Sequence, residues 1–571
     1  MAHIRQRVTA AKQEAELGPP SSGTPKSPEC DDDEATLPPS GGTFPKTQTF
    51  LLTKQVILRL LGLIFVIAFK VAADQNLALI GSKGLTPVIA NWEERKQHVS
   101  SWEGFLSAPS IFWLMPVSDQ ALMGVAYLGI IGGLLLVCGI FSSILCASLW
   151  LLYFSIVTIA QGTAWYSYGW ESQLLETGFL AIFLCSPFDL RASPSLPVLW
   201  LFRWLMFRIS IGAGLIKVRG SSCWAQRTCL WYHFETQPNP SPISFIWHFL
   251  PHQALSFGVD LDIFVQLYAV WLVLVPGFGA LRHVRQVAGL LQALFMLNIA
   301  VSGNLAFLNH LTIIPALACL DDAFWEKLLQ VACLGKKFST RTPVSASGGR
   351  HRAIRWMVDL LLVLTIGYLS QPVVQNLLQL GGTRQSMNRS FGAFRLVNTY
   401  GAFGNVGQAR YEAIVSVTHD RETWHELEFP CKPGRVDRRP CMCAPYHYRL
   451  DWNIWFLGFK PHRNYLARRE TWMWSFLAKI LDGDEMALSL LAGETALGQA
   501  FHQNGSQQLP KFVKVDMWRY RMRAPLWEIV WDYALNGSSV WWNREFEEPL
   551  IPPLSRDSAY LKQMVERYTA S

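Results

Sequence analysis

The sequence predicts a polytopic α-helical membrane protein: a bundle with an odd number of spans, between about five and nine, followed by a lumenal α+β domain with a β-sandwich core. Composition is the first reason, because only 16% of the 571 residues are charged, against about 25% in soluble proteins. The second reason is that long apolar runs stop after residue 383 and charges become frequent. These observations exclude a soluble multidomain enzyme, a disordered chain and a small disulfide scaffold. The net charge of +8 is spread over several loops, which is typical of a membrane topology signal and not of nucleic-acid binding.

The N-terminal segment, residues 1–50, is predicted to be a disordered cytosolic tail. It is polar and rich in Pro, Ser and Thr, and so has too little apolar surface to offset its chain entropy. The first apolar run, Gln55–Ala73, lies too far from Met1 for a cleaved signal peptide. It is therefore expected to act as an uncleaved signal anchor.

Residues 51–382 are predicted to form the membrane region. The run Ala121–Ala160 contains no charged side chain. As one helix it would measure about 60 Å, roughly twice the hydrocarbon core, so a two-helix hairpin turning near Gly139 or Ser142 is expected. The further candidate segments are Glu176–Phe188, Val198–Val218, Ile263–Ala280, Val287–Ser302, Leu305–Leu320 and Trp356–Leu378. The full count is nine, but short or polar segments can be re-entrant or buried between neighbours.

The orientation follows from loop charge. The loop Gly335–Arg355 is rich in Lys and Arg and has no acidic residue, a bias that keeps a short loop in the cytosol. The span that follows then places residues 383–571 in the lumen. Three glycosylation sequons, at Asn388, Asn504 and Asn536, all lie in that part of the chain, and glycosylation takes place in the secretory lumen.

The lumenal domain shows both strand and helix patterns. Alternating polarity predicts strands at Tyr411–Val417, His425–Phe429 and Phe512–Met522, whereas helical spacing marks Asn464–Leu481 and Glu485–Leu491. The domain is also dense in tryptophan, which favours core packing or contact with the membrane interface. A second interpretation is that some of these rings form an exposed patch for a client protein. The tryptophans concerned are Trp452, Trp455, Trp472, Trp474, Trp518, Trp527, Trp531, Trp541 and Trp542.

Five cysteines fall on predicted lumenal segments: Cys223, Cys229, Cys431, Cys441 and Cys443. Because an oxidising lumen favours disulfides, pairs between Cys223 and Cys229 and between Cys431 and Cys441 are expected, although sequence alone leaves the connectivity open. The remaining Cys443 is a free or exchanging thiol in this interpretation. Redox catalysis is not favoured, because the sequence contains no C-x-x-C motif. A zinc site is not favoured either, because no set of ligands has the required spacing.

No catalytic or cofactor-binding motif occurs in a supporting context, so no cofactor is expected. What stands out is a set of polar residues within apolar surroundings, namely Glu171, Glu176, Arg208, Lys217, Asn304 and His310. Ionisable groups at membrane depth usually pair or do work. One interpretation is an ion-pair network in which Glu171 or Glu176 meets Arg208 or Lys217. The other is a catalytic base or a site for a transported ion.

Long ordered blocks of the chain resemble the lipase maturation factor family, and the resemblance extends from about residue 50 to 545. The chain is more similar to the first member of that family than to the second, because no further membrane segment follows the lumenal domain. The blocks that carry the resemblance are Trp165–Phe179, Gly212–Lys217, Tyr232–Pro238, Val301–Asn304, Val397–Gly404, Cys431–Gly434 and Pro445–Trp452.

The resemblance implies a multi-pass endoplasmic reticulum protein that helps secreted homodimeric lipases, such as lipoprotein lipase, hepatic lipase and endothelial lipase, to reach an active fold. It implies no catalytic residue. It also implies contacts with lumenal chaperones and oxidoreductases, and matches the four cysteines expected to pair, but not Cys443. The lumenal domain, with the loop Arg219–Asp260, is then expected to contact the client. The competing hypotheses are a membrane-embedded carboxylase-like or transferase-like enzyme, a lipid or ion transporter, and a thiol oxidoreductase partner.

Overall fold

The structure is a computed structural model that describes residues 49–185, 193–332, 349–382, 384–459, 470–493, 502–503 and 506–569. Several predicted features lie outside these residues. They are the tail up to residue 48, most of the basic loop Gly335–Arg355, the start of the predicted helix Asn464–Leu481, and the sequon at Asn504. The described residues form one compact unit.

Six helices within the described residues are long and apolar enough to cross a membrane, which confirms a multi-span protein. They are α1 (Leu51–Ile80), α4 (Asp119–Val137), α7 (Leu196–Val218), α11 (His252–Leu274), α12 (Leu281–Ser302) and α15 (Gly349–Leu378, apolar from Ala353). Helix α11 is α-helical over His252–Ile263 and continues through a π turn, Phe264–Tyr268, and a 3₁₀ turn, Ala269–Leu274. Two shorter apolar helices accompany them, α5 (Ser143–Ile159) and α13 (Leu308–Ala316, extended to Cys319 by a 3₁₀ turn). A third short helix, α6 (Gly169–Leu184), lies between them in the chain and carries Glu171 and Glu176.

The hydrogen bonds sort the helix ends into two groups. At one end, the first turn of α1 donates to Asp322, and Ser143 at the start of α5 donates to the Cys185 carbonyl after α6. At the other end, the backbone of Ser82, after α1, donates to Asp119 at the start of α4 (2.8 Å). The described chain thus runs back and forth between two ends. The predicted hairpin Ala121–Ala160 is confirmed as α4 and α5, with Gly139 in the turn at a positive φ of 97°.

Helix α7 lies at the centre of the bundle and α15 at its periphery, since 72% of the apolar window of α7 is buried against 28% in α15. The short helices α6 and α13 are mostly buried between neighbours, so they need not match the thickness of a bilayer. The pair α1 and α4 packs through glycine. A Cβ on Gly62 would stand 2.7 Å from Cβ of Leu136 and 2.8 Å from the Gly133 carbonyl oxygen, an approach that larger residues prevent.

Short helices fill the connections between the long ones. Those on the side where α1 ends and α4 begins are α2 (Ile89–His98), α3 (Ser101–Ser107), α8 (Ser222–Ala225), α9 (Leu230–Thr236) and α10 (Pro242–His248). Helix α14 (Asp322–Ala332) follows α13 at the opposite side.

The C-terminal region contains a four-stranded antiparallel sheet in the order β2-β1-β5-β6. Its strands are β1 (Arg410–Thr418), β2 (His425–Glu426), β5 (Phe512–Met522) and β6 (Trp542–Ser555), while β3 (His502–Gln503) and β4 (Ser506–Gln507) form a separate small hairpin. The helices are α16 (Arg449–Trp455), α17 (Thr471–Asp482), α18 (Glu485–Leu488), α19 (Leu526–Asn536) and α20 (Ala559–Thr569).

The expected β-sandwich is not what the described residues form, and helices and loops cover this single sheet instead. On one face, Val415, Val515 and their neighbours join a core with Phe476 of α17. On the other face, Ile414 and Tyr520 pack with Phe245 of α10. Because both faces are already buried, the sheet needs no second sheet to shield it. The coarser prediction, a helical membrane bundle followed by an α+β region, is confirmed.

Candidate functional site

Buried polar contacts fasten the C-terminal region to the ends of the membrane helices. At the start of α6, the Glu171 carboxylate accepts a hydrogen bond from Arg449 of α16 at 2.7 Å, and both side chains are fully buried. Glu171 also accepts from Tyr153 and from Trp170 Nε1. The Arg449 guanidinium stacks 3.7 Å from the ring centroid of Tyr166. Every carboxylate oxygen of Glu171 thus has a partner, so the group serves as an anchor.

Glu176, five residues further along α6, forms a second such contact. It pairs with Arg208 of α7, as one of the predicted combinations proposed, and both side chains are 1% exposed. The same carboxylate accepts from Asn398 Nδ2 at 2.9 Å and from the Tyr400 hydroxyl at 2.7 Å. Arg208 also donates to the Asn398 carbonyl at 2.9 Å. Asn398 and Tyr400, which follow helix α15 in the chain, therefore supply hydrogen bonds that the Glu176–Arg208 pair does not obtain from the helical bundle.

The other predicted polar residues lie apart from these two pairs. Lys217 Nζ donates to both oxygens of Asp262, at 2.7 and 2.6 Å, and so joins α7 to α11; its expected pairing with Glu171 or Glu176 is wrong. Asn304 binds the C-terminal region, donating to the Cys441 carbonyl at 3.0 Å. His310 lies on α13, and its side chain is partly buried. The structure thus distributes these residues over separate structural contacts.

Backbone contacts tighten the same junction. Arg410 at the start of β1 donates to the carbonyls of Glu235 (2.9 Å) and Pro238 (2.8 Å), next to α9. In α7, a Cβ on Gly212 would stand 2.4 Å from the Tyr400 carbonyl oxygen. Glycine is therefore needed there for close approach of the backbone.

The five cysteines expected in the lumen lie on the side of the C-terminal region. Cys223 and Cys229 are at disulfide distance, with Cα atoms 4.8 Å apart, and so are Cys431 and Cys441, at 5.0 Å. The Sγ atom of Cys443 lies 3.5 Å from that of Cys431. Burial raises the pKa of the Cys443 thiol to about 12, so the group stays protonated and weakly nucleophilic.

A small cleft of about 70 Å³ opens between α9 and the C-terminal region, which we call the junction cleft. Its lining is mainly apolar and comes from both parts of the chain. The residues are His233, Thr236, Gln237, Phe403, Asn405, Val406, Gly407, Ala409, Arg410, Tyr411, Trp455, Gly458 and Phe459. Trp455 packs edge-on to Phe459 at 4.7 Å and donates to the Thr236 carbonyl at 3.1 Å. The walls are therefore held together, and the space, which has room for roughly five water molecules, suits the end of one apolar side chain.

The ionisable residues that line the junction cleft are either neutral or paired. Burial lowers the pKa of His233 to about 4, so its imidazole is neutral near pH 7. Arg410 is 2% exposed, and it forms ion pairs with Glu412 in addition to its carbonyl contacts. The lining therefore favours apolar groups, and the charge of its Arg410 side chain is already paired.

Most of the predicted tryptophan cluster is core. Trp452, Trp472, Trp474, Trp541 and Trp542 are buried, whereas Trp455 and Trp518 are partly buried. The exceptions are Trp527 and Trp531 of α19, which are 57% and 67% exposed. The prediction that core packing accounts for most of these rings is thus correct, and the exposed patch is confined to one helix. Of the sequon residues, Asn388 and Asn536 are exposed.

Sequence reasoning missed the residues that complete the site. Arg449, Asn398 and Tyr400 lie more than two hundred residues from their carboxylate partners, and no local pattern signals such a partner. The blocks Val397–Gly404 and Pro445–Trp452 do contain them. The family resemblance therefore marked these segments but did not predict which residues they contact.

Fold and site together define a membrane-anchored protein of many spans, whose α+β region is fixed to the helix ends by buried ion pairs and presents an apolar cleft. The pattern of the lipase maturation factor transmembrane domain matches residues 52–327, and that of the lipase maturation factor C-terminal domain matches residues 396–552. The chain belongs to the lipase maturation factor family.

Full-length relatives agree with this assignment. The chain is 40% identical to lipase maturation factor 1 of Bos taurus over 557 residues, covering 92% of this chain and 94% of that protein. It is 41% identical to the Mus musculus protein of the same name, covering 89% and 88%. Identity to lipase maturation factor 2 of Homo sapiens is 25%, covering 90% and 84%. No solved structure matches the chain.

Proposed function

We propose that this chain is a multi-pass protein of the endoplasmic reticulum membrane that holds secreted homodimeric lipases until they fold, dimerise and leave in active form. Lipoprotein lipase, hepatic lipase and endothelial lipase are the expected clients, with lumenal chaperones and oxidoreductases as further partners. The role is non-enzymatic. The family match over both parts of the chain carries this proposal.

The proposed orientation puts residues 1–50 in the cytosol, residues 51–382 in and around the membrane, and residues 383–571 in the lumen. Cysteine placement supports it. Both cysteine pairs at disulfide distance lie on the side of the C-terminal region. Among the described residues, four unpaired cysteines, Cys138, Cys146, Cys185 and Cys319, sit at or near the opposite helix ends, and Cys443 alone is unpaired on the side of the C-terminal region. Disulfides persist in an oxidising compartment and thiols in a reducing one. Glycans on Asn388, Asn504 and Asn536 belong to the same proposal.

The junction cleft is the proposed client site. An unassembled lipase exposes apolar surface that its partner subunit later covers, and weak, reversible binding of such surface limits aggregation without trapping the client. The junction cleft supplies an apolar lining, no unpaired charge, and walls tied together by Trp455 and Arg410. Its rigid attachment to the membrane bundle keeps the client near the bilayer.

Two matched glycine substitutions test this site. A Cβ on Gly407 would meet only the Ala409 carbonyl oxygen, at 3.7 Å, and one on Gly392 would meet nothing within 4 Å. Both positions accept a side chain, but only Gly407 lines the junction cleft. In cells that make lipoprotein lipase, Gly407→Arg is expected to lower secreted lipase activity and capture of inactive lipase by about ten-fold, a loss of about 1.4 kcal/mol. Gly392→Arg should leave both within about two-fold. Normal capture by Gly407→Arg would rule out the junction cleft as the client site.

A further inference from the structure

Helix α19 carries a continuous apolar stripe that faces away from the protein. The residues that share this face are Trp527, Val530, Trp531, Ala534 and Leu535, and all of them are exposed. Their spacing of i, i+3, i+4, i+7 and i+8 is that of one helix face. Only Ile529, on the opposite face, is fully buried in this helix. A soluble surface rarely carries so large a contiguous apolar strip without a partner.

Helix α19 lies beside the start of α11 and the end of α12, two membrane helices that leave most of their apolar surface exposed. It packs on α10, and Ser244 of α10 donates to the carbonyl of Ser302, the last residue of α12, at 2.7 Å. Leu526, at the start of α19, and Phe249 pack on the same cluster, and α11 begins three residues after Phe249, at His252. The apolar windows of α11 and α12 are only 39% and 33% buried. The lipid-facing surface of α12 continues to its last turn, where Val301 is exposed.

We propose that α19 lies in the headgroup boundary of the bilayer, with Trp527, Val530, Trp531 and Leu535 inserted into the lipid surface. The helix continues the lipid-facing surface of α11 and α12 beyond their ends. Its composition suits this position, because Trp rings are favoured at the boundary between headgroups and acyl chains. It thereby fixes the C-terminal region against the membrane at a point distant in sequence from the last span.

The polar groups of α19 lie beside or behind the stripe. The exposed Glu528 is at its edge, near Leu535, where a long side chain can extend its carboxylate toward the headgroups. Asp532 pairs with Arg523 at 3.3 Å, so its charge is partly neutralised. Asn536 lies two residues beyond Ala534, which at about 100° per residue places it on the face opposite the stripe. A glycan on Asn536 would then point away from the lipid. The inference needs only the membrane-spanning bundle and is independent of which client the protein serves.

Photocrosslinking tests this placement. The full-length chain carries p-benzoylphenylalanine at position 531 and is reconstituted in nanodiscs of phosphatidylcholine that contain an alkyne-bearing phosphatidylcholine. The matched control is position 546 on strand β6, where Phe546 is 54% exposed but is flanked by Glu545 and Glu547, which oppose contact with lipid. The yield of lipid adduct at 531 is expected to exceed that at 546 by at least about five-fold. Equal yields, or no lipid adduct at 531, would overturn the proposal.

A second arm uses cells that synthesise a secreted lipase. A lipid adduct without a lipase adduct at position 531 supports the membrane placement. A lipase adduct at 531 assigns the stripe to the client and contradicts the proposal. Position 535 serves as a second probe site on the same face, where Leu535 is 66% exposed and its replacement leaves the core intact.

Discussion

Arg449 reaches across 278 residues of sequence to the carboxylate of Glu171, and the pair is completely buried at the start of the short helix α6. Burying two charges is costly, and their mutual attraction repays that cost only with good geometry and further hydrogen bonds. Here Tyr153 and Trp170 supply those hydrogen bonds. The pair therefore specifies one position for the C-terminal region on the bundle.

Breaking one half of this pair should destabilise the protein strongly. Arg449→Met leaves the Glu171 charge buried without its cation, at an expected cost of about 3–5 kcal/mol. The double variant Glu171→Gln, Arg449→Met removes both charges and should recover most of the loss. The apparent melting temperature of the full chain in nanodiscs measures both effects. If the double variant folds but secreted lipase activity stays lost, a chemical role for Glu171 would regain support.

Gly212 should not tolerate even one methyl group. An Ala side chain there would stand 2.4 Å from the Tyr400 carbonyl oxygen, so the segment that completes the Glu176–Arg208 pair would have to move. Gly124 of α4 is the matched control, since a Cβ there meets nothing within 4 Å. Gly212→Ala should increase protease cleavage of the C-terminal region, whereas Gly124→Ala should be neutral or slightly stabilising, because Ala favours helix over Gly. Equal protease resistance of the two variants would contradict this packing.

Local patterns in the sequence predicted local structure well. Phe512–Met522 alternates in polarity and forms strand β5 over the same residues. Strand β6 was missed because it contains Pro549, Pro552 and Pro553, which argue against a strand unless it lies at the edge of a sheet. The last strand in the order β2-β1-β5-β6 is such an edge.

Contacts distant in sequence could not be predicted. The pairing of Glu176 with Arg208 was among the predicted combinations because both lie on neighbouring apolar segments. The partner of Glu171 lies in another part of the chain. Lys217 pairs with Asp262, which lies on α11; this helix begins at His252, before the predicted start at Ile263. Neither periodicity nor composition carries information on which distant charge fills a buried position.

The cysteine cluster predicts a rearrangement on mutation. Sγ of Cys443 lies 3.5 Å from that of Cys431, so in Cys441→Ser the Cys443 thiol should pair with Cys431. Cys443→Ser should leave the Cys431–Cys441 pair intact. Loss of a short-loop disulfide costs about 2–3 kcal/mol, so the double variant Cys441→Ser, Cys443→Ser should be less stable than either single variant. Peptide mapping under non-reducing conditions measures the pairing, and a free Cys431 in Cys441→Ser would contradict the expected exchange.

Buried His447 should make the protein sensitive to acid. Burial lowers the pKa of this imidazole well below its usual value, so the folded form stays neutral while the unfolded chain binds a proton below pH 6.5. Stability is therefore lost as the pH falls through 6.5, by about 1.4 kcal/mol per pH unit. His447→Phe removes this contribution. The melting temperature of the parent relative to that of His447→Phe should fall between pH 7 and pH 5, and a constant difference would contradict the buried neutral histidine.

The most direct measurement is a photocrosslink from the junction cleft to a client in living cells. The full chain carries p-benzoylphenylalanine at position 459, on the rim that Phe459 forms with Trp455, and is expressed with lipoprotein lipase. An adduct to inactive lipase, absent with the probe at position 392, is the expected result. Adducts of equal yield at the two positions, or an adduct at 392 alone, would show that the client binds elsewhere on the protein.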